Sequence, residues 1–282
     1  MTSGDARAIR LAANGLEFSG LEWGPPDGRP VLLLHGFPQR ATSWAGVASR
    51  LARAGLRAVA VDQRGYSPGA RPTMVEDYAL PKLVADVVAV IDALGGQVDL
   101  AGHDWGAVVG WQVAARHPDR VRTWTAASTP NPLALNAVLA VDEDQRNRFG
   151  YILIFREPGR AETALLKDDG AGLRAVYGAG VPPDQAAADV AFFAQPGVLT
   201  AALNWYRAMS PDDAQDVPRV SVPTSYVWGS ADVAFGRTAA QRSGEFVDAD
   251  YRFVPLEGVT HWVPNEASDA LADEITRRVL GG

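Results

Sequence analysis

The 282-residue sequence contains no cysteine, which excludes disulfide bonds and every metal centre that needs a thiolate ligand. Histidine is also scarce, with four residues in the whole chain. These four do not show the spacing of a histidine-based zinc site. We therefore expect neither a metal ion nor any other cofactor.

Positive charge is scattered and is outnumbered by negative charge. The 26 Lys and Arg residues face 33 Asp and Glu residues, so the net charge is −7 at pH 7. This balance disfavours nucleic acid and anionic membranes as partners. The sequence has no apolar run long enough to span a bilayer, and residues 1–5 lack the pattern of a secretion signal. We therefore expect a cytoplasmic protein.

Strand patterns and helix patterns alternate along most of the sequence. Short apolar or alternating segments predict eight strands, at 8–11, 16–23, 31–34, 56–61, 98–101, 121–127, 224–228 and 251–254. The pair Asn14-Gly15 predicts a tight type I′ turn between the first two. The later strands alternate with amphipathic helices, which predicts an α/β fold with a mainly parallel sheet and helices on both of its faces.

The alternation stops between residues 132 and 216, where only helical periodicity is found. The predicted helices there cover 133–142, 144–155, 161–167, 183–193 and 198–208. We interpret 132–216 as an inserted helical lid. The α/β core then consists of residues 1–131 and 217–282, and it closes with a helix predicted at 265–280.

The segment 102–106, Gly-His-Asp-Trp-Gly, lies between an apolar strand and a helical stretch. A strand, a turn flanked by glycines and a helix predict a nucleophile elbow with Asp104 at its tip. A carboxylate at this place displaces a leaving group from saturated carbon and leaves an alkyl ester on the enzyme. The alternative is that Asp104 merely caps the helix that follows.

Hydrolysis of such an ester needs a histidine to activate water, an acid to orient it, and donors for an oxyanion. His261 is the only histidine after the last predicted strand, and Asp232 follows the strand at 224–228. The chain order nucleophile, acid, histidine is that of α/β-hydrolases. The backbone N–H groups of Phe37 and Trp105 are the expected oxyanion donors. A buried structural histidine and an ordinary Asx turn are the alternatives for His261 and Asp232.

These motifs resemble the epoxide hydrolase branch of the α/β-hydrolase superfamily over nearly the whole chain. The resemblance also rests on two core motifs, His-Gly-Phe-Pro at 35–38 and Asp-Gln-Arg-Gly-Tyr-Ser at 62–67, and on two lid segments at 151–162 and 203–207. It implies that Tyr151 and Tyr206 are lid acids that bind and protonate an epoxide oxygen. An alkoxide is too basic to be released unprotonated near neutral pH, so such acids make physical sense. The alternative is that both tyrosines merely line the boundary between lid and core.

The resemblance implies hydrolysis of an epoxide to a vicinal diol, with a small apolar epoxide and water as the partners. A homodimer is one form of assembly to be expected. Five aromatic residues are expected to line the pocket: Phe37, Trp105, Phe149, Trp205 and Trp262. The sequence departs from the family at Thr260, where glycine usually precedes the histidine.

Two other functions stay open at this point. One is a haloalkane or haloacid dehalogenase that uses the same aspartate. Haloalkane dehalogenases commonly have asparagine at the position of Phe37, and fluoroacetate dehalogenases have arginine at the position of Trp105. The other is a non-catalytic protein that binds a ligand in the same fold, because fold alone does not fix function.

Overall fold

The structure is a computed structural model that describes residues 5–281. The expectation that no secretion signal is present was based partly on residues 1–4, and these lie outside the described residues.

All eight predicted strands are present, and they form one sheet. The strands are β1 (Arg7–Ala13), β2 (Leu16–Trp23), β3 (Pro30–Leu34), β4 (Arg57–Val61), β5 (Val98–His103), β6 (Val121–Ala127), β7 (Thr224–Gly229) and β8 (Tyr251–Leu256). Their order across the sheet is β1-β2-β4-β3-β5-β6-β7-β8. Pairing is antiparallel between β1 and β2 and between β2 and β4, and parallel elsewhere. The predicted mainly parallel sheet is confirmed.

The apolar runs of the sequence form the centre of this sheet. Leu32 of β3 pairs with Val59 of β4 on one side and with Leu100 of β5 on the other. All three side chains are buried, as expected for parallel strands that are covered on both faces. The tight turn between β1 and β2 has positive φ at both Asn14 and Gly15, as a type I′ turn requires.

Twelve helices surround the sheet in the described part of the chain. They are α1 (Ala45–Arg53), α2 (Leu80–Ala93), α3 (Trp105–Arg116), α4 (Pro132–Leu139), α5 (Glu143–Arg148), α6 (Gly150–Phe155), α7 (Arg160–Tyr177), α8 (Pro183–Phe193), α9 (Val198–Arg207), α10 (Arg237–Arg242), α11 (Val263–Glu266) and α12 (Ser268–Leu280). Helices α1 and α12 pack on one face of the sheet, and α2 and α3 pack on the other. Within residues 5–281, no single helix has the length and hydropathy needed to cross a bilayer. Only α8 and α9 together reach that hydropathy, and they are bent by 90°.

Two predicted helices are divided in the structure, and a third extends beyond its predicted end. The helix predicted at 144–155 breaks at Phe149 into α5 and α6, and the closing helix breaks at Ala267 into α11 and α12. Helix α7 continues to Tyr177, past the predicted end at 167, after an interruption at 167–170 where three consecutive residues have left-handed backbone angles. The breaks at Phe149 and Ala267 are short, so the apolar periodicity continues across them and the sequence pattern does not reveal them.

Buried hydrogen bonds attach the lid helices α4–α9 to the core. Arg40 Nε donates to Asp189 Oδ1 of α8 at 2.8 Å. Tyr177 Oη, at the end of α7, donates to the carbonyl oxygen of Pro38 at 2.5 Å. Both core partners belong to the loop that follows β3, so the lid is fixed over the carboxyl ends of the parallel strands.

Replacement of Gly110 by alanine is expected to destabilise the fold. A Cβ at Gly110 of α3 would lie 2.1 Å from the indole ring of Trp124, which is fully buried in β6. We expect Gly110→Ala to lower the free energy of unfolding by about 1–3 kcal/mol, measured by urea denaturation. The control is Gly150→Ala, because a Cβ at Gly150 of α6 meets no atom of residues 5–281 within 4 Å. Equal unfolding midpoints for the two variants would contradict the prediction.

Candidate active site

Asp104 occupies a strained turn between β5 and α3. Its backbone angles are φ 51° and ψ −120°, a conformation that a residue with a Cβ adopts at a cost of about 1–3 kcal/mol. A Cβ on Gly102 would lie 2.5 Å from the carbonyl oxygen of Gly106, and a Cβ on Gly106 would lie 2.2 Å from that of Leu34. The two glycines therefore permit the close packing that this turn needs. Among the described residues, the Asp104 side chain makes no N-cap hydrogen bond to α3.

Two backbone N–H groups converge on the carboxylate of Asp104. Phe37 N donates to Oδ1 at 2.8 Å, and the backbone N–H of Trp105 contributes to lowering the pKa of this carboxylate. Phe37 follows β3 and Asp104 follows β5, and these neighbouring strands flank the point where the strand order reverses. Ligands of open α/β sheets bind at this point. The donors lie where an oxyanion would form during hydrolysis of an ester on Asp104.

His261 connects the other carboxylate oxygen of Asp104 to Asp232. His261 Nδ1 lies 3.0 Å from Asp232 Oδ2, and His261 Nε2 lies 3.5 Å from Asp104 Oδ2. The second oxygen of Asp232 accepts the N–H groups of Ala234 at 2.7 Å and Phe235 at 3.1 Å. Asp232 thus forms the Asx turn considered above and contacts the histidine as well, with a different oxygen for each. The structure brings the three predicted residues together.

Burial and charge act in opposite directions on these groups. Burial lowers the pKa of His261, but the negative charges and hydrogen bonds of Asp232 and Asp104 outweigh it and raise that pKa to about 10. Burial raises the pKa of Asp104, but the hydrogen bond and positive charge of His261 outweigh it and lower that pKa. At neutral pH the resting site therefore holds a carboxylate beside an imidazolium.

The two lid tyrosines lie next to each other opposite the elbow. Tyr151 of α6 and Tyr206 of α9 have ring centroids 6.2 Å apart. The ring of Tyr206 stacks edge-on against Trp105 at 5.2 Å and against Phe37 at 5.4 Å. Burial and the charge of Asp104 raise the pKa of both phenols. Both hydroxyls are therefore protonated at neutral pH and can donate hydrogen bonds to a bound oxygen.

Two chambers meet at these residues. One chamber has a volume of about 230 Å³ and extends between α4 and the segment 209–214. The other has a volume of about 290 Å³, and its lining includes His261 and Val233. Within the described part of the chain, Asp104, Tyr151 and Tyr206 are the residues that line both chambers. The carboxylate and the two phenols therefore surround the junction.

Four of the five predicted pocket aromatics line these chambers. Trp105 and Phe149 line the first chamber, and Phe37 and Trp262 line the second. The prediction for Trp205 was wrong. Trp205 is absent from the described lining of both chambers; its ring packs 5.5 Å from Trp105, and its Nε1 donates to the carbonyl oxygen of Arg64 at 2.9 Å.

The physical reason lies in the geometry of α9. Successive residues of an α-helix project about 100° apart, so Trp205 and Tyr206 cannot both face the junction. Tyr206 faces it, and Trp205 packs against the core behind it.

Most of the apolar wall of the first chamber was not predicted from the sequence. The first chamber is lined by aliphatic and proline side chains from distant parts of the chain: Leu80, Val108, Pro130, Pro132, Leu135, Leu139, Ile152 and Met209. These residues come from loops and helices on both sides of the lid boundary and share no local motif. No single-sequence signal could have identified them.

The departure at Thr260 has a structural explanation. Thr260 N donates to Glu266 Oε2 at 2.6 Å, and Thr260 Oγ1 donates to Glu266 Oε1 at 2.9 Å. Glu266 belongs to α11, which follows the loop directly. The threonine side chain therefore fixes the loop that carries His261 from its outer side.

Comparison with known proteins agrees with this fold. A family model described as the alpha/beta hydrolase family matches residues 31–274. The chain therefore belongs to the α/β-hydrolases, as the sheet order and the elbow indicate.

Individual relatives show to which branch of the family the chain belongs. Epoxide hydrolase A of Mycobacterium tuberculosis is 34% identical, over 93% of this chain and 95% of its own. Epoxide hydrolase 2 of Caenorhabditis elegans is 32% identical, over 87% of this chain and 72% of its own. The crystal structure of epoxide hydrolase A from Mycobacterium thermoresistibile is similar with a TM-score of 0.84 and 27% identity, over 98% of this chain and 99% of that one. The chain belongs to the epoxide hydrolase branch of the superfamily.

Removal of the charge on Asp104 is expected to lower the pKa of His261. In Asp104→Asn the imidazolium loses one of the two negative charges that raise its pKa to about 10. The pKa should therefore fall below that of the unaltered protein when the ring resonances are followed by NMR. The control is Asp189→Asn, because Asp189 pairs with Arg40 and is not among the charges that act on His261. An unchanged pKa in Asp104→Asn would refute the coupling.

Proposed function

We propose that this epoxide hydrolase converts an epoxide and water to a vicinal diol through a covalent ester on Asp104. The observation that carries the proposal is the junction, where one carboxylate and two phenols line both chambers. An epoxide placed there has a nucleophile on one side of the ring and proton donors on the other.

Ring opening uses the carboxylate and the phenols together. Oδ2 of Asp104 forms a bond to a ring carbon, and the bond between that carbon and the epoxide oxygen breaks. The oxygen takes a proton from the hydroxyl of Tyr151 or Tyr206. Although the pKa of each phenol is raised, an alkoxide is a stronger base still, so this proton transfer is favourable.

Ester formation also prepares the histidine for the second step. The ester oxygen carries no negative charge, so His261 loses the contribution of Asp104 to its raised pKa. His261 can then release its proton, which restores the phenol that became a phenolate during ring opening, and the neutral ring can act as the base that activates water. Asp232, 3.0 Å from Nδ1, stabilises the imidazolium that forms again when water is deprotonated.

Hydrolysis then takes place in the oxyanion site. The activated water attacks the carbonyl carbon of the Asp104 ester, and the negative charge develops on Oδ1. Oδ1 already accepts the N–H of Phe37 at 2.8 Å, so this donor needs no reorganisation. Collapse of the intermediate breaks the bond between the carbonyl carbon and the ester oxygen, and that oxygen takes up the remaining proton of the attacking water. The diol is released, and the restored Asp104 carboxylate contains an oxygen atom from water.

The two chambers suggest the shape of the substrate. Both are lined mainly by apolar side chains, and they extend from the junction in two directions. We propose an epoxide with an apolar substituent on each ring carbon, one in each chamber. A homodimeric assembly and a cytoplasmic location stay predictions from the sequence.

Isotope transfer tests the covalent route. In water enriched in oxygen-18, a single turnover should place the label in Asp104, and the first diol released should carry unlabelled oxygen. Mass spectrometry of the peptide that contains Asp104 measures this, and Asp104→Ala is expected to give no diol. The finding of label in the first diol and none in Asp104 would contradict the ester intermediate. Release of halide from haloalkanes, without diol formation from epoxides, would instead favour the dehalogenase alternative.

Removal of both phenols should slow ring opening strongly. We expect Tyr151→Phe combined with Tyr206→Phe to reduce the rate of alkylation by about 100- to 10,000-fold, the usual contribution of general acid catalysis. Each single variant should lose less, since one phenol is left. The control is Tyr78→Phe, because Tyr78 is a buried tyrosine whose hydroxyl donates to Pro72 away from the junction. Rapid-quench measurement of the alkyl-enzyme gives the rate, and an unchanged rate in the double variant would exclude the phenols as acids.

A further inference from the structure

We propose that Ser128 and His103 are positioning residues that hold His261 by its backbone carbonyl and so support hydrolysis of the ester. This inference rests on the proposed function. Ser128 Oγ donates to the carbonyl oxygen of His261 at 2.7 Å, and His103 Nε2 lies 2.9 Å from the same oxygen. These two donors come from the ends of β6 and β5, whereas His261 belongs to the loop after β8.

Ser128 is held in a conformation that a residue with a Cβ seldom adopts. Its φ is 66°, and it is fully buried. Its N–H donates to the carbonyl oxygen of Val227 at 2.9 Å, and its own carbonyl oxygen accepts the hydroxyl of Tyr226 at 2.7 Å. Both partners belong to β7, so the neighbouring strand fixes the backbone of Ser128. Strain of this kind persists only where the surrounding structure enforces it, and it is common at functional sites.

The His103 ring is neutral when it donates this hydrogen bond. Since Nε2 faces a carbonyl oxygen, which only accepts, Nε2 carries the proton. The ring is fully buried, and its centroid lies 4.9 Å from that of the His261 ring. Burial and the positive charge of His261 lower the pKa of His103 to about 4, against the opposing pull of Asp104 and Asp232. A second positive charge is thereby kept away from the imidazolium.

Together these contacts fix both the main chain and the imidazole ring of His261. Ser128 and His103 hold the main chain of His261, and Asp232 holds Nδ1 at 3.0 Å. Nε2 is then directed at Oδ2 of Asp104. The bonds between Thr260 and Glu266 restrain the same loop only from its outer side, so the inner side depends on the two donors.

The two chemical steps depend on this arrangement to different degrees. Attack of Asp104 on the ring does not use His261 as a base, whereas activation of water does. A small displacement of Nε2 should therefore slow hydrolysis more than alkylation. In well-ordered active sites, a misplacement of about 1 Å can cost about 100-fold in rate.

The test measures both steps in Ser128→Ala. Rapid-quench mass spectrometry gives the rate of ester formation and then the rate of its hydrolysis. We expect alkylation at the rate of the unaltered enzyme and hydrolysis slowed by about 10- to 100-fold, so that the alkyl-enzyme accumulates. The hydrolysis rate is measured on alkyl-enzyme alone, so a fraction of unfolded protein does not affect it. His103→Leu should act in the same direction, and His103→Gln, which restores an N–H donor, should recover part of the rate.

The matched control is Ser243→Ala. Ser243 is also fully buried, and among the described residues its hydroxyl bonds to backbone groups alone, those of Asn131 and Ala239. Hydrolysis in Ser128→Ala at the same rate as in Ser243→Ala would overturn the proposal, and so would equal slowing of both steps. Absence of any alkyl-enzyme or diol in the unaltered protein would instead refute the proposed function, so the two failures are distinguishable.

Discussion

The electrostatic coupling of Asp104 and His261 is the interaction on which the rest of the site depends. The two groups are buried, and their charged atoms lie 3.5 Å apart. Each stabilises the charged form of the other, so the resting enzyme holds an ionised nucleophile and a protonated histidine. Conversion of Asp104 to an ester removes one charge from this pair. The same event that completes the first step thus makes His261 a base for the second.

The sheet and the lid supply different groups of the active site. The sheet supplies the nucleophile, the oxyanion donors, the histidine and its acid, all from loops at the carboxyl ends of parallel strands. The lid supplies the two phenols from α6 and α9. Because the lid is bound to the loop after β3 through Arg40 and Pro38, the phenols stand at a fixed place opposite Asp104. The rigidity of this boundary therefore determines the geometry of the junction.

Local motifs explain why much of the site could be predicted. Asp104 was identified because its glycine neighbours and the adjoining strand and helix are contiguous in the chain. His261 and Asp232 followed from their order after the strands, and their contacts agree with that order. The prediction that Trp205 lines the pocket was wrong because the side of a helix that faces a cavity depends on how the helix packs. Ser128 and His103 were missed as partners of His261 because no spacing in the sequence relates the three residues.

The alternation of strands and helices, the position of the lid and the chemical type of the nucleophile can be predicted from the amino-acid sequence alone. These follow from apolar periodicity and from short contiguous motifs, which act over a few residues. Which side chains enclose the two chambers, how the phenols face the carboxylate, and the pKa of His261 depend on the tertiary structure. Those properties arise from burial and from charges a few ångströms apart in space, contributed by residues as distant in the chain as Asp104 and His261.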